Sequence, residues 1–178
     1  MADLRSLVRP GLLTPAQCTD ATGIMRSLPL EPALLESGPS EERQGAVAWL
    51  VRDGRHEWLF DAIERFGLEF ATRRGICASS LYEALQFARY DGNSRFQWHI
   101  DTGSTATVFR KVTVSVQLSS ASAYGGGDLE FVGEPSLQGR REIGSATAFP
   151  AVLGHRVTPI EWGTRVAVVG GICGTPYT

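Results

Sequence analysis

The chain has little of what marks a specialised class. Its three cysteines, Cys18, Cys77 and Cys173, are far apart and odd in number. That argues against a disulfide framework or a zinc ribbon and leaves buried, reduced thiols as the reading. No stretch approaches the ~20 consecutive apolar residues of a membrane span, and the N-terminus lacks the apolar core of a signal peptide. A cytoplasmic protein that engages no membrane is therefore expected. Basic excess is missing too: 17 Lys and Arg stand against 19 Asp and Glu, a formal net charge of −2. A dedicated nucleic-acid binder needs a positive surplus, so no nucleic-acid partner is expected. No internal repeat or low-complexity tract is visible.

What is present fits a soluble globular protein, with 43% apolar and 20% charged residues. The length, 178 residues, suits one domain with a real core. We expect a helical support region over 1–80 and a β-rich core over 81–178. Thr14-Pro15-Ala16-Gln17 reads as a helix start, with Thr14 as N-cap, Pro15 at the first helical position and Gln17 closing a capping box. Cys18, Ala21, Ile24, Met25 and Leu28 form the apolar stripe, and Pro29 and Pro32 stop the helix. Residues 29–44, rich in Pro, Ser and Glu, read as an exposed loop, and Gly45–Val51 as a strand. From Glu57 to Arg73 the period changes. Leu59, Ile63, Phe66 and Phe70 fall at helical spacing, with Arg73 and Arg74 at the negative end and Gly75 as the stop. His56 reads as a surface residue at that helix start.

Beyond Gly75 the pattern is one of short strands and glycine-rich turns. Strands are expected near Tyr82–Tyr90, Phe96–Asp101, Lys111–Leu118, Asp128–Val132, Ala146–Phe149, His155–Ile160 and Arg165–Cys173. Many short strands at this spacing point to a sandwich or jelly roll rather than to βαβ units, so the fold class is mainly β with supporting N-terminal helices.

Three residues in this region carry chemistry together. His99 and Asp101 are two apart, and in an extended strand such side chains share a face. His155 is the remaining histidine of the second half. Two imidazoles and one carboxylate on a β scaffold match the facial triad that holds iron(II) and leaves three coordination positions free. Arg165 lies in the otherwise apolar strand Gly163–Gly171, where a guanidinium needs an anionic partner; a salt bridge to an acidic neighbour or an exposed strand end are the plain alternatives. Arg165, Ala167 and Val169 share a face, and the small Ala167 leaves room beside the guanidinium.

Together these pieces resemble the iron(II)- and 2-oxoglutarate-dependent dioxygenases, in particular the prolyl-4-hydroxylase-like branch, over roughly Leu81 to Gly174. The resemblance runs in order through Tyr90, Gly92, Phe96, His99 and Asp101, then the strand Lys111–Ser119, Tyr124–Phe131, His155-Arg-Val-Thr-Pro159, and Arg165 ten residues after His155. It implies a double-stranded β-helix in which His99, Asp101 and His155 bind Fe(II). It also implies that Arg165 pairs with the far carboxylate of 2-oxoglutarate, with Tyr90 donating its hydroxyl to that carboxylate. Thr113 and Gln117 fall at the family's inward-facing positions on the next strand, although Gln117 stands where relatives often have an aromatic residue. Ala167 completes the expected cosubstrate contacts.

The implied reaction hydroxylates a C–H bond while 2-oxoglutarate and O2 give succinate and CO2, with ascorbate as a supporting reductant. Asp101 stands where related halogenases carry a small residue, which disfavours halogenation. The expected partner is a protein, peptide or small-molecule substrate, with Trp98, Arg110 and Arg140 as candidate contacts. Arg140 and Arg141 belong to a mouth loop at Glu134–Glu142, and Thr102–Val108 forms a second. One alternative is a nucleic-acid alkyl-lesion demethylase, which would carry another arginine where Gly171 stands. Another is a non-catalytic metal or small-molecule binder, or a zinc hydrolase using the same ligands.

Overall fold

A computed structural model describes residues 5–35, 38, 40–103, 107–133 and 141–176. Its two helices form as their end signals dictate. Helix α1 (Pro15–Arg26) has the Thr14–Gln17 capping box in place and buries Cys18, Ala21 and Met25. Helix α2 (Glu57–Arg74) starts at His56, whose side chain makes no cap bond, and ends at Gly75 in the left-handed conformation with φ 65°. It buries Leu59, Phe60, Ile63, Phe66 and Phe70. Gly67 on this face is required by contact: a Cβ there would lie 2.3 Å from Ile172 Cγ1.

The strands are β1 (Leu7–Arg9), β2 (Glu31–Pro32), β3 (Arg43–Gln44), β4 (Ala46–Leu50), β5 (Leu85–Asp91), β6 (Arg95–His99), β7 (Arg110–Gln117), β8 (Tyr124–Gly126), β9 (Leu129–Phe131), β10 (Ala146–Pro150), β11 (His155–Val157) and β12 (Ile160–Cys173). The larger sheet runs β1-β10-β7-β12-β5-β4-β2, with β8 also paired to β12; the smaller runs β3-β6-β11-β9. Among the described residues, all pairings between these strands are antiparallel, as a jelly roll requires.

Alternation along three central strands sorts the side chains. Leu85 and Phe87 on β5, Val112, Val114 and Val116 on β7, and Val166, Val168 and Ile172 on β12 join the core cluster formed with the helices. Their alternates, Ala88 and Tyr90 on β5, Thr113 and Ser115 on β7, and Arg165 and Ala167 on β12, line a cleft. A second apolar cluster, including Tyr90, Phe131, Phe149 and Val157, holds the two sheets together. The cleft thus has a rigid helix-backed wall and a thinner opposing one.

Some boundaries differ from expectation. The segment 29–44 is not wholly loop: β2 pairs with β4, and β3 pairs with β6 in the smaller sheet. The expected strand through Ile160 breaks at Thr158-Pro159, because proline lacks an N–H and restrains its predecessor. Strand β12 then begins at Ile160, so the last strand is longer than the Arg165–Cys173 expected. Gly163 within it has φ 75°, and a Cβ there would fall 2.0 Å from the Ala123 carbonyl oxygen. Among the described residues, no helix is long and apolar enough to cross a membrane.

Candidate active site

The site begins with a cross-strand pair. His99 ends β6, His155 opens β11, and the two are in register, which brings their ring centroids to 4.1 Å. The register then shifts: His155 opposes His99 but Val157 opposes Phe96. Three steps on β6 therefore face two on β11, a β-bulge. The bulge turns Phe96 and His99 to the same side, stacked with centroids 3.4 Å apart. A regular strand would have set them on opposite faces.

Asp101 arrives differently from the expectation that His99 and Asp101 share a strand face. Strand β6 ends at His99, and Asp101 lies in the bend beyond it. Its backbone N–H donates to the Ala151 carbonyl at 2.9 Å. The carboxylate still meets both histidines, with Oδ1 3.5 Å from His99 Nε2 and Oδ2 3.5 Å from His155 Nε2. Candidate ligand atoms of all three residues lie within 4.8 Å of one another.

Hydrogen bonds prepare these groups for a cation. Nδ1 of His99 is 2.7 Å from the Gln97 carbonyl oxygen, and Nδ1 of His155 is 2.9 Å from that of Leu153. A carbonyl oxygen only accepts, so both rings carry their proton on Nδ1 when neutral and aim the Nε2 lone pair inward. Thr113 Oγ1 donates to Asp101 Oδ2 at 2.6 Å. Burial would raise the Asp101 carboxyl, but the attraction of His155 and His99 in their protonated forms and the hydrogen bond from Thr113 outweigh it and hold the group below the usual range. Burial, the largest influence on His155, lowers it and favours neutral imidazole, against the opposing pull of Asp101. An ionised carboxylate beside a neutral imidazole is the protonation state a divalent ion requires.

The other end of the cleft is built around Arg165, which is only 5% exposed. Its Nε donates to Gln117 Oε1 at 3.1 Å, and its Cζ lies 5.4 Å from the Tyr90 ring centroid. Among the described residues it has no carboxylate partner, so neither the salt bridge nor the exposed strand end accounts for it. Burial raises the Tyr90 phenol, with Arg165 and Arg43 pulling the other way, and keeps it a hydroxyl donor. Gln117 passes its Nε2–H to the Tyr124 hydroxyl at 2.8 Å. It lines a small polar recess behind Arg165 rather than the metal-side cleft. The cleft, about 460 Å³ including its open mouth, is lined by His99, Asp101, His155, Tyr90, Thr113, Arg165 and Ala167.

The substrate candidates fare unevenly. Trp98 is 47% exposed and turned outward by the bulge, under the Arg156 guanidinium 4.8 Å from its ring centroid. It does not line the cleft. Arg110 pairs with Glu83 at 2.5 Å and borders an adjoining cleft with Asp101 and Thr113. Arg140 lies outside the described residues. Sequence reading missed Ser115, which lies between Thr113 and Gln117 at the same two-residue spacing and lines both cavities. It also missed Gln86, which lines the cleft, and Arg43, whose guanidinium lies over the Phe96 ring.

The family model described as "2OG-Fe(II) oxygenase superfamily" matches residues 85–172, from the start of β5 almost to the end of β12. That span contains the His99–Asp101–His155 cluster and Arg165. The chain belongs to the 2OG-Fe(II) oxygenase superfamily. Among curated relatives of this oxygenase chain, a PKHD-type hydroxylase of Gloeothece citriformis is 30% identical over 92 residues, 50% of this chain and 42% of the relative. One from Xanthomonas campestris is 25% identical over 172 residues, 89% and 74% of the two chains. The first two such relatives are thus matched over only 42% and 52% of their own length. A Pseudomonas putida prolyl-4-hydroxylase superposes with a TM-score of 0.75 at 16% identity, covering 96% of this chain and 92% of that one. A Trichoplax adhaerens prolyl hydroxylase, solved with a hypoxia inducible factor peptide fragment, gives 0.77 at 18% identity, with 95% and 83% covered. These likenesses establish the double-stranded β-helix fold of the oxygenase.

Proposed function

We propose that this oxygenase uses Fe(II), 2-oxoglutarate and O2 to hydroxylate a C–H bond, releasing succinate and CO2. The substrate is a prolyl or other amino-acid residue of a protein, or a free amino acid or small metabolite. The observation that carries the reading is that Arg165, buried and without an acidic partner among the described residues, faces the same cleft as His99, Asp101 and His155. A buried guanidinium of this kind calls for an anion, and its planar fork suits a carboxylate.

In this reading His99 Nε2, Asp101 and His155 Nε2 hold the ion, and Thr113 fixes the carboxylate through Oδ2. Arg165 offers its two Nη groups to the far carboxylate of the cosubstrate, its Nε being held by Gln117. The Tyr90 hydroxyl donates beside it, and Ala167 keeps the path between the two ends open. Iron with 2-oxoglutarate and O2 supplies the oxidising power, while these residues bind, orient and keep water from the cleft. The PKHD-type hydroxylase names of the relatives and the prolyl hydroxylases among the structural neighbours support an amino-acid substrate.

The test is anaerobic addition of 2-oxoglutarate to Fe(II)-loaded protein, read as a visible charge-transfer band, followed by succinate formation on admitting oxygen. His99→Ala should abolish both, and Arg165→Ala should weaken 2-oxoglutarate binding while leaving metal binding intact. Neither band nor succinate from intact protein would sink the proposal.

A further inference from the structure

The arginines around the site are not alike. Arg95 pairs with Glu41, Arg110 with Glu83, Arg141 with Asp128 and Arg156 with Glu130. Among the described residues, Arg165 and Arg43 have no such partner. Arg165 is accounted for by the cosubstrate, and Arg43 is left over.

Arg43 is held firmly without being neutralised. Its Nη1 donates to the Leu34 carbonyl at 2.9 Å and its Nη2 to Gln86 Oε1 at 3.1 Å. Its Cζ lies 4.6 Å from the centroid of Phe96, the ring that also stacks on His99. The group therefore sits near the candidate metal ligands, and the fields of Tyr90 and Asp101 favour its charge while that of Arg110, itself paired with Glu83, opposes it. Burial works against its charge, and holding a partly buried cation without a counter-charge is unfavourable.

Gln86 extends the arrangement into the cleft. It lines both the metal-side cleft and the adjoining one that contains Trp49, its partner across the β4–β5 ladder. With its Oε1 accepting from Arg43, its amide N–H groups are left as donors. An amide donor thus lines both clefts and a half-exposed indole lines the adjoining one, while the Arg43 guanidinium, with N–H groups to spare, lies against Gln86 and Phe96, two residues of the metal-side cleft. A single guanidinium matches the single charge of a carboxylate, whereas a phosphate of about −1.5 to −2 would remain under-neutralised.

We propose that Arg43 and Gln86 bind a carboxylate of the substrate, so that the hydroxylated compound carries an acidic group close to the reacting carbon. This rests on the hydroxylase reading of the cleft. The carboxylate has two possible sources, the side chain of an acidic residue in a peptide and the α-carboxylate of a free amino acid.

The experiment uses the full chain loaded with Fe(II) and 2-oxoglutarate without oxygen, so that nothing turns over. Modification of Arg43 by phenylglyoxal is followed by peptide mass mapping, with exposed Arg55 as internal reference. Four probes are compared at millimolar concentration: N-acetylproline, its amide, and the acetylated, amidated tripeptides alanyl-prolyl-glutamate and alanyl-prolyl-glutamine. We expect at least one carboxylate probe to slow modification of Arg43 several-fold while its amide counterpart does not and Arg55 is unaffected. Protection by N-acetylproline alone assigns a free α-carboxylate, and by the glutamate peptide alone an acidic side chain. Calorimetric binding of the protecting probe should be lost in Arg43→Gln and largely restored in Arg43→Lys. Equal modification with acid and amide probes, in protein that shows the charge-transfer band, overturns the carboxylate site but not the hydroxylase reading. Absence of the band overturns both.

Discussion

Arg165 on β12 donates its Nε proton to Gln117 Oε1 on the neighbouring β7, at 3.1 Å. Gln117 in turn donates to Tyr124 at 2.8 Å, so one amide orients the guanidinium and satisfies a buried phenol. Replacing Gln117 by Leu removes both bonds and leaves Arg165 Nε without a partner. Loss of one partner of a buried hydrogen bond costs ~1–3 kcal/mol. We expect Gln117→Leu to weaken 2-oxoglutarate binding about tenfold, with Fe(II) affinity unchanged. Anaerobic titration of each ligand checks this; equal loss of both affinities would show that the whole cleft has been disturbed.

Thr113 acts on the opposite end. Its hydroxyl donates to Asp101 Oδ2 at 2.6 Å, which makes it a support for the candidate ligand set as well as part of the cleft wall. Thr113→Val keeps the shape and removes the donor. Loss of such a supporting bond lowers metal affinity by about 10- to 100-fold. Competition against a metal-binding dye should show that loss, and Asp101→Ala should lose binding altogether. Val at 113 with unaltered affinity would remove Thr113 from the metal site.

These two residues also show what sequence makes legible. Arg165, Ala167 and Val169 fall on alternate positions of an apolar strand, so a period of two puts them on one face, and all three line the cleft. Thr113 and Gln117 are placed inward by the family resemblance alone; Thr113 lines the cleft, while Gln117 lines the recess behind Arg165. The capping box at Thr14 and the stop at Gly75 are local chemistry and appear where expected. The bulge in β6 and the bend at Asp101 depend on cross-strand register, which no local pattern records. Arg43 falls within the expected loop because a two-residue strand has no period to detect. Its importance comes from which carboxylates it does not meet, and that is visible only after folding.

The close approach of α2 to β12 can be probed with two glycines that differ in surroundings. Gly67→Ala puts a methyl 2.3 Å from Ile172 Cγ1, and overpacking of this kind costs ~1–3 kcal/mol. Gly23 in α1 has nothing within 4 Å of a built Cβ. Gly23→Ala should therefore show only the gain in helix propensity, up to ~1 kcal/mol. Urea unfolding of the two variants should give shifts of opposite sign. A neutral Gly67→Ala would mean that β12 can move away from the helix.

Cys18 allows a prediction for alkaline pH. Its side chain is fully buried in α1, and burial pushes the thiol from its ordinary 9.0 up to about 11. Above pH 9 the unfolded chain loses this proton while the folded protein keeps it, so the unfolded state binds fewer protons and stability falls as pH rises. The contribution is fully present below pH 9 and is lost progressively towards pH 11. Its size, from a gap of that order, is ~2–3 kcal/mol. Cys18→Ala should flatten the decline in urea midpoint over that interval relative to the parent protein, with loss of packing appearing as a constant offset. A thiol reagent at pH 8 should find exposed Cys77 quickly and Cys18 only on unfolding. Rapid labelling of Cys18 in the folded protein, or an unchanged slope in the alanine variant, would contradict the buried-thiol account.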